Sequence, residues 1–227
     1  MLRLLSIYSG ILPIFFFFLY LNRNKKEGLW VIFLYVMVSF LTDFSFEIFK
    51  FKINPELSFI IFSLFTVLEY TFFTTFIYLN FKKQLFRNIL VYSSILFYTF
   101  CILSFYYTDG YTFDSLPASI ESILVIVFCI LFFFEQINTP ETSFIYSTKK
   151  FWIVTAFLIY LSGTLFLFVY ASNITENEQN LYWPINYVFN ILKNIIITLA
   201  FLLPTSGSQN FFNDDFFGKP PVSHYKS

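Results

Sequence analysis

Charge is scarce in this chain: Lys, Arg, Asp and Glu make up only 12% of 227 residues, about half of what a water-facing domain of this size carries. A fully hydrated surface is thereby excluded. With 57% hydrophobic residues and a mean hydropathy of +0.69, lipid is the expected surrounding of most of the exterior. The 14 basic and 14 acidic residues cancel, so no net field favours nucleic acid, which is set aside as a partner. Histidine is nearly absent. His224 is the only one, and its place in the tail leaves no histidine-based zinc site within the membrane. Six glycines give little material for a phosphate-cradling loop or a Gly-x-Ser-x-Gly elbow, and neither pattern occurs. The two cysteines, Cys101 and Cys129, fall inside apolar runs, where they read as small buried hydrophobes. Neither a metal nor a cofactor is expected.

What the chain has in quantity is long apolar runs. A hydrocarbon core of about 30 Å needs about 20 residues of helix. Seven runs meet that length, at 2–22, 29–49, 57–80, 88–107, 117–135, 151–171 and 183–203. The predicted fold is therefore all-α, a polytopic bundle of seven transmembrane helices. The first run ends in Leu21-Asn22-Arg23-Asn24 without a small-residue cleavage site and is retained as a helix. Residues 204–227, with Pro220-Pro221 and several Ser and Asn, are expected to form a disordered cytoplasmic tail. The 37 phenylalanines are bulk apolar filling and carry no ligand signal.

Basic residues set the orientation, because cytoplasmic loops retain positive charge. Ten of the 14 lie in loops one, three and five and in the tail: Arg23, Lys25, Lys26, Lys82, Lys83, Arg87, Lys149, Lys150, Lys219 and Lys226. Arg3, Lys50 and Lys52 lie on the other side, and Lys193 falls inside the last helix. The N-terminus is expected outside and the C-terminus inside, in the cytoplasmic (inner) membrane of the cell.

Ionisable groups within a membrane helix are costly and usually face the protein interior. Helix two carries Asp43 and Glu47 on one face, helix three Glu69, and helix five Glu121 beside Ser122. Helix seven carries Asn186, Asn190 and Asn194 at four-residue spacing, with Lys193 beside that stripe. At a rise of about 1.5 Å per residue, Glu47, Glu121, Asn186, Asn190 and Asp43 fall within roughly 10 Å of the outer boundary, and Glu69 and Lys193 near mid-membrane. These positions suggest an outward-facing polar shaft floored by a Glu69–Lys193 pair, with Asp43, Glu47, Glu69, Glu121, Asn186, Asn190 and Lys193 as its ligand-binding residues. Against that stand plainer assignments. Asn194 and Ser122 are expected to cross-link helices, at about 0.6 kcal/mol per bond. Interfacial water is an alternative for Glu47 and Glu121 and the expected state of Glu135. Ser162-Gly163-Thr164 is expected to serve close helix packing.

Thr42-Asp43, Leu68-Glu69-Tyr70, Glu121-Ser122, Phe151-Trp152, Leu158-Ile159-Tyr160-Leu161-Ser162-Gly163 and Asn190-x-x-x-Asn194 form an ordered set. Together they resemble an uncharacterised family of seven-helix membrane proteins of Bacteroidota, across the chain to about residue 203. Members of that family look like the membrane halves of sensor kinases, so the resemblance implies sensing. The sequence shows no output domain, so such a role would need a separate cytoplasmic signalling protein. The expected function is a receptor or signalling module for a small or lipidic ligand. The alternative is an intramembrane lipid hydrolase using Asp43 and Glu69 as acid and base. Proton-coupled transport ranks lower because no internal repeat is visible. A retinal-binding helix seven is disfavoured because Phe189, not a carboxylate, precedes Lys193 by one turn.

Overall fold

The computed structural model describes residues 1–49, 54–107, 115–138, 145–171 and 176–204. Residues 205–227 of the expected tail fall outside these residues. Among the described residues nine α-helices follow one another: α1 (Leu2–Ser9), α2 (Ile11–Leu19), α3 (Leu21–Lys26), α4 (Trp30–Phe49), α5 (Pro55–Asn80), α6 (Gln84–Tyr107), α7 (Ser115–Ile137), α8 (Lys149–Tyr170) and α9 (Glu176–Leu202). No strand occurs among the described residues. Counting α1 and α2 as a single span, seven helical stretches among these residues are long and apolar enough to cross a membrane. The chain is thus an all-α, multi-pass bundle.

The first expected helix, 2–22, is broken. Pro13 has no N–H for the Ser9 carbonyl and its ring crowds that group, and α1 ends at Ser9. Gly10 then lets α4 come close, since a Cβ there would meet Phe40 at 3.3 Å. Other runs begin earlier than hydropathy alone suggests, because caps extend them. Asn54 accepts from Leu57 N at 2.8 Å ahead of Pro55, and Thr148 accepts from Phe151 N at 3.3 Å. Helix α9 starts seven residues before the expected 183, through the polar stretch Glu176–Asn180.

Helix α8 packs between α7 and α9. Its buried residues Ile153, Phe157, Tyr160, Thr164 and Leu167 recur at alternating spacings of four and three, as do Ala118, Ser122, Val125, Cys129 and Phe132 on α7. That period keeps one stripe of each helix turned toward its neighbours. Cys129 is one buried member of the stripe, as expected from its apolar surroundings. Gly163 gives α9 its close approach: a Cβ there would overlap the Phe189 ring. The packing role expected of Ser162-Gly163-Thr164 is met at Gly163 and at the buried Thr164, whereas Ser162 is exposed and bonds back to the Leu158 carbonyl. Helix α6 lies at the edge, packed on α5 and α7, with Leu96 72% and Ile102 70% exposed. Such a surface suits lipid and would be costly in water.

Polar contacts tie the chain at both ends of the bundle. At the end holding the α2–α4, α5–α6 and α7–α8 connections, Arg23 donates to the Phe201 and Leu202 carbonyls at 3.1 and 2.7 Å. These carbonyls belong to the last turn of α9, which has no intrahelical donors left for them. Lys149, 1% exposed, donates to Asn24 Oδ1 at 2.9 Å and lies 3.7 Å from Glu27. Glu135 corrects the sequence expectation. It is 1% exposed and accepts from the backbone N–H groups of Lys82 and Lys83 at 2.9 and 2.6 Å. The break after Asn80 leaves these donors unpaired ahead of α6, and a carboxylate across the gap satisfies them better than water. At the opposite end Arg3 pairs with Glu47 at 3.0 Å.

Candidate functional site

Helices α4, α5, α7, α8 and α9 enclose a cavity of about 90 Å³. Six of the seven candidate residues border it: Asp43 from α4, Glu69 from α5, Glu121 from α7, and Asn186, Asn190 and Lys193 from α9. Convergence follows from helical geometry. The α9 residues repeat at about one turn, so one face presents them all, and α8 holds that face in place through the Gly163–Phe189 contact. Glu47 is the exception. One turn beyond Asp43, it is held by Arg3 and is not part of the cavity wall.

The deepest polar groups form a three-membered chain. Lys193 Nζ donates a short hydrogen bond to the Tyr35 hydroxyl, which donates to Glu69 Oε1 at 2.7 Å. Lys193 Nζ itself lies 3.9 Å from the same carboxylate oxygen. The ammonium also sits over the Tyr160 ring at 4.0 Å, a cation–π contact strengthened by the burial of both groups. All four side chains are buried. The sequence anticipates the Glu69–Lys193 pairing but not Tyr35, which mediates it. Tyr35 is one of 16 tyrosines in an apolar run, and its sequence context gives it no distinguishing mark.

Below this chain the bundle is closed by aromatic packing. Phe73 stacks on Phe157 at 3.8 Å and meets Tyr35 edge-on at 4.6 Å, and Phe76 abuts Phe157. All are essentially inaccessible. The cavity therefore lies on the Asp43 and Asn186 side of the chain, with Phe62 and Trp183 also on its wall.

Along α9, amides meet hydroxyls of α1. Asn190 Nδ2 donates to Ser6 Oγ at 2.9 Å and approaches Asp43 Oδ2 at 3.4 Å, and Asn194 Nδ2 donates to Ser9 Oγ at 2.8 Å. Asn194 is thus the helix cross-link expected of it. Ser122 is not: its hydroxyl returns to the Ala118 carbonyl of its own helix at 2.8 Å. The Ser6 and Ser9 partners had a signal in the sequence, since their three-residue spacing matches one face of α1 against the Asn stripe.

Glu121 differs from the other carboxylates. It is 2% exposed, which rules out interfacial water as its environment, and its Oε1 has no hydrogen-bond partner. The Oδ1 atoms of Asn186 and Asn190 are buried without partners as well. Three unmatched acceptors therefore border one small space, and unsatisfied buried groups of this kind are expensive.

Fold and site together define a multi-pass helical membrane protein with an internal, carboxylate-rich cavity. Comparison with family models, with curated proteins and with solved structures finds no match.

Proposed function

We propose that this chain is a membrane receptor or signalling module that binds a small ligand in the cavity and acts through a separate cytoplasmic partner. The observation that carries this reading is the convergence of polar groups from four helices on one space, with unpartnered acceptors around it. Structural polar networks normally satisfy their members, whereas a binding site leaves groups for the ligand. A volume of about 90 Å³ favours a small molecule over a whole lipid. Acid–base hydrolysis has less support, because Tyr35 and Lys193 already hold Glu69.

The reading places the cavity toward the outside and the Arg23, Lys82 and Lys149 end in the cytoplasm of a cell with an inner membrane. The concentration of basic residues at that end supports this orientation. Ligand binding would act by stabilising one of two helix arrangements. The test is a thermal-shift screen of small polar compounds against the purified protein in nanodiscs, with Asn190→Leu as comparison, and co-purification from its native membrane. A compound that stabilises the native protein and not the variant, together with a co-purifying signalling protein, is the expected result. Indifference to every compound and no partner would end the proposal.

A further inference from the structure

The charges around the cavity do not balance. Asp43, Glu69 and Glu121 border it, and Lys193 is the only cation among the described residues on its wall. Nearby Arg3 is committed to Glu47 at 3.0 Å. Within the cavity, Lys193 and Tyr35 hold Glu69, and Asp43 receives a single long contact from Asn190. Glu121 Oε1 receives nothing. Three carboxyl groups thus share one cation, and every carboxylate held away from water adds to the cost. The unpartnered groups are also of one kind: Glu121 Oε1, Asn186 Oδ1 and Asn190 Oδ1 are all acceptors. With Glu121 2% and Asn190 8% exposed, these groups face the cavity and not the exterior of the bundle. A ligand that completes the site must bring donors or positive charge, and an anion would meet repulsion from three sides.

The wall gives the second half of the argument. Phe62, Phe65, Phe168, Tyr160 and Trp183 supply aromatic faces, which attract cations through the negative face of the ring. The protein already uses one of these rings so, with the Lys193 ammonium 4.0 Å above Tyr160. Size then discriminates among cations. Since an apolar cavity of about 150 Å³ takes a six-carbon ring, a space of about 90 Å³ suits a molecule of roughly three to five non-hydrogen atoms. Among the described residues no three His, Cys, Asp or Glu side chains gather closely enough to grip a metal ion. A bare ion would leave most of the space and the aromatic wall unused.

We infer that the cavity takes a small organic ammonium ion, held by Glu121 and Asp43 with the Asn186 and Asn190 carbonyl oxygens, against the aromatic wall. This deepens the proposed function and rests on the cavity being its ligand site. A ligand of this class would cancel the surplus negative charge and supply what the orphan acceptors lack. Lys193 would repel it moderately, which keeps binding reversible.

The experiment is isothermal titration of the full chain in nanodiscs with tetramethylammonium and ethylammonium chloride. The controls are tert-butanol, a neutral molecule of similar size, and sodium and potassium chloride at matched ionic strength. The expected result is saturable binding of the organic cations alone, weakened at least about tenfold by Glu121→Gln, the effect of losing one charge-assisted contact. Glu47→Gln, with the same charge change outside the cavity, should leave affinity unchanged. Asn186→Leu gives a second variant if Glu121→Gln folds poorly, and it should weaken binding without altering charge. Equal binding of tert-butanol would overturn the charge assignment while leaving the cavity as a ligand site. Saturation by sodium or potassium alone would overturn the organic class. If no probe binds while a compound from the thermal-shift screen does, the cation inference falls and the receptor reading stands. If neither binds, both fall.

Discussion

The Glu69–Tyr35–Lys193 chain allows a quantitative test of how this bundle tolerates charge in its middle. Glu69→Gln removes one charge, retains the volume, and leaves an amide oxygen to accept from Tyr35. It strands the Lys193 ammonium, whose side chain is 1% exposed and whose remaining contacts are the Tyr35 hydroxyl and the Tyr160 ring. Lys193→Met strands the carboxylate in turn, supported by Tyr35 alone at 2.7 Å. Breaking a buried pair from one side costs about 3–5 kcal/mol because an uncompensated charge remains. The double variant strands neither partner, so its cost should fall below the sum of the singles by about 2–3 kcal/mol, within the range of contacting pairs. By the size scaling of unfolding entropy, each single variant should lower Tm by roughly 6–20 °C. The assay is thermal unfolding of the four proteins in one detergent. Tyr35→Phe extends it: if the hydroxyl mediates the pair, coupling between Glu69 and Lys193 should change once that substitution is present. Additive single effects, within about 0.5 kcal/mol, would refute the pairing.

Three further outcomes follow from local geometry. Glu135→Ala should destabilise by about 2–4 kcal/mol, since two hydrogen bonds to a charged acceptor are lost at the α5–α6 turn, whereas Glu135→Gln should lie between it and the native protein in thermal unfolding. Gly163→Ala should lower Tm by driving a methyl group into the Phe189 ring, and Phe189→Leu in the same chain should recover part of the loss. In spheroplasts of a Cys101→Ser, Cys129→Ala background, a membrane-impermeant thiol reagent should label Asn54→Cys and spare Gln84→Cys, two positions at opposite ends of α5 and its following turn; the reverse pattern would invert the proposed orientation.

The fold was legible in this sequence because the bilayer imposes a single strong rule. Twenty apolar residues between polar breaks identify a spanning helix with little reference to tertiary context, so all seven spans were recognisable, with the ends at Phe49, Asn80 and Tyr107, while most of the starts were not. Helix boundaries depend on caps such as Asn54 and Thr148, on the backbone consequence of Pro13, and on polar residues like Glu176–Asn180 that hydropathy assigns to loops. The cavity was legible for a related reason: charge is so rare that each carboxylate in a run marks an inward face. The same rule failed where polarity was local. Glu47, near the boundary, pairs with Arg3, and Glu135 serves a turn 52 residues away in sequence. Tyr35 was invisible because its role comes from partners on two other helices, α5 and α9.

Helix α9 has a particular place in any coupling between the cavity and the basic end. It supplies cavity residues on successive turns, Trp183, Asn186, Asn190 and Lys193, and its last carbonyls are held by Arg23 at the far end. It meets α1 and α2 along their length, with hydroxyl–amide bonds at Ser6 and Ser9 and a ring contact between Phe17 and Phe201. Its contact with α8 is an interlocked ring at Gly163. Under the proposed function, α9 is the helix that links the two ends of the bundle, since it borders the cavity and its last carbonyls are held by Arg23.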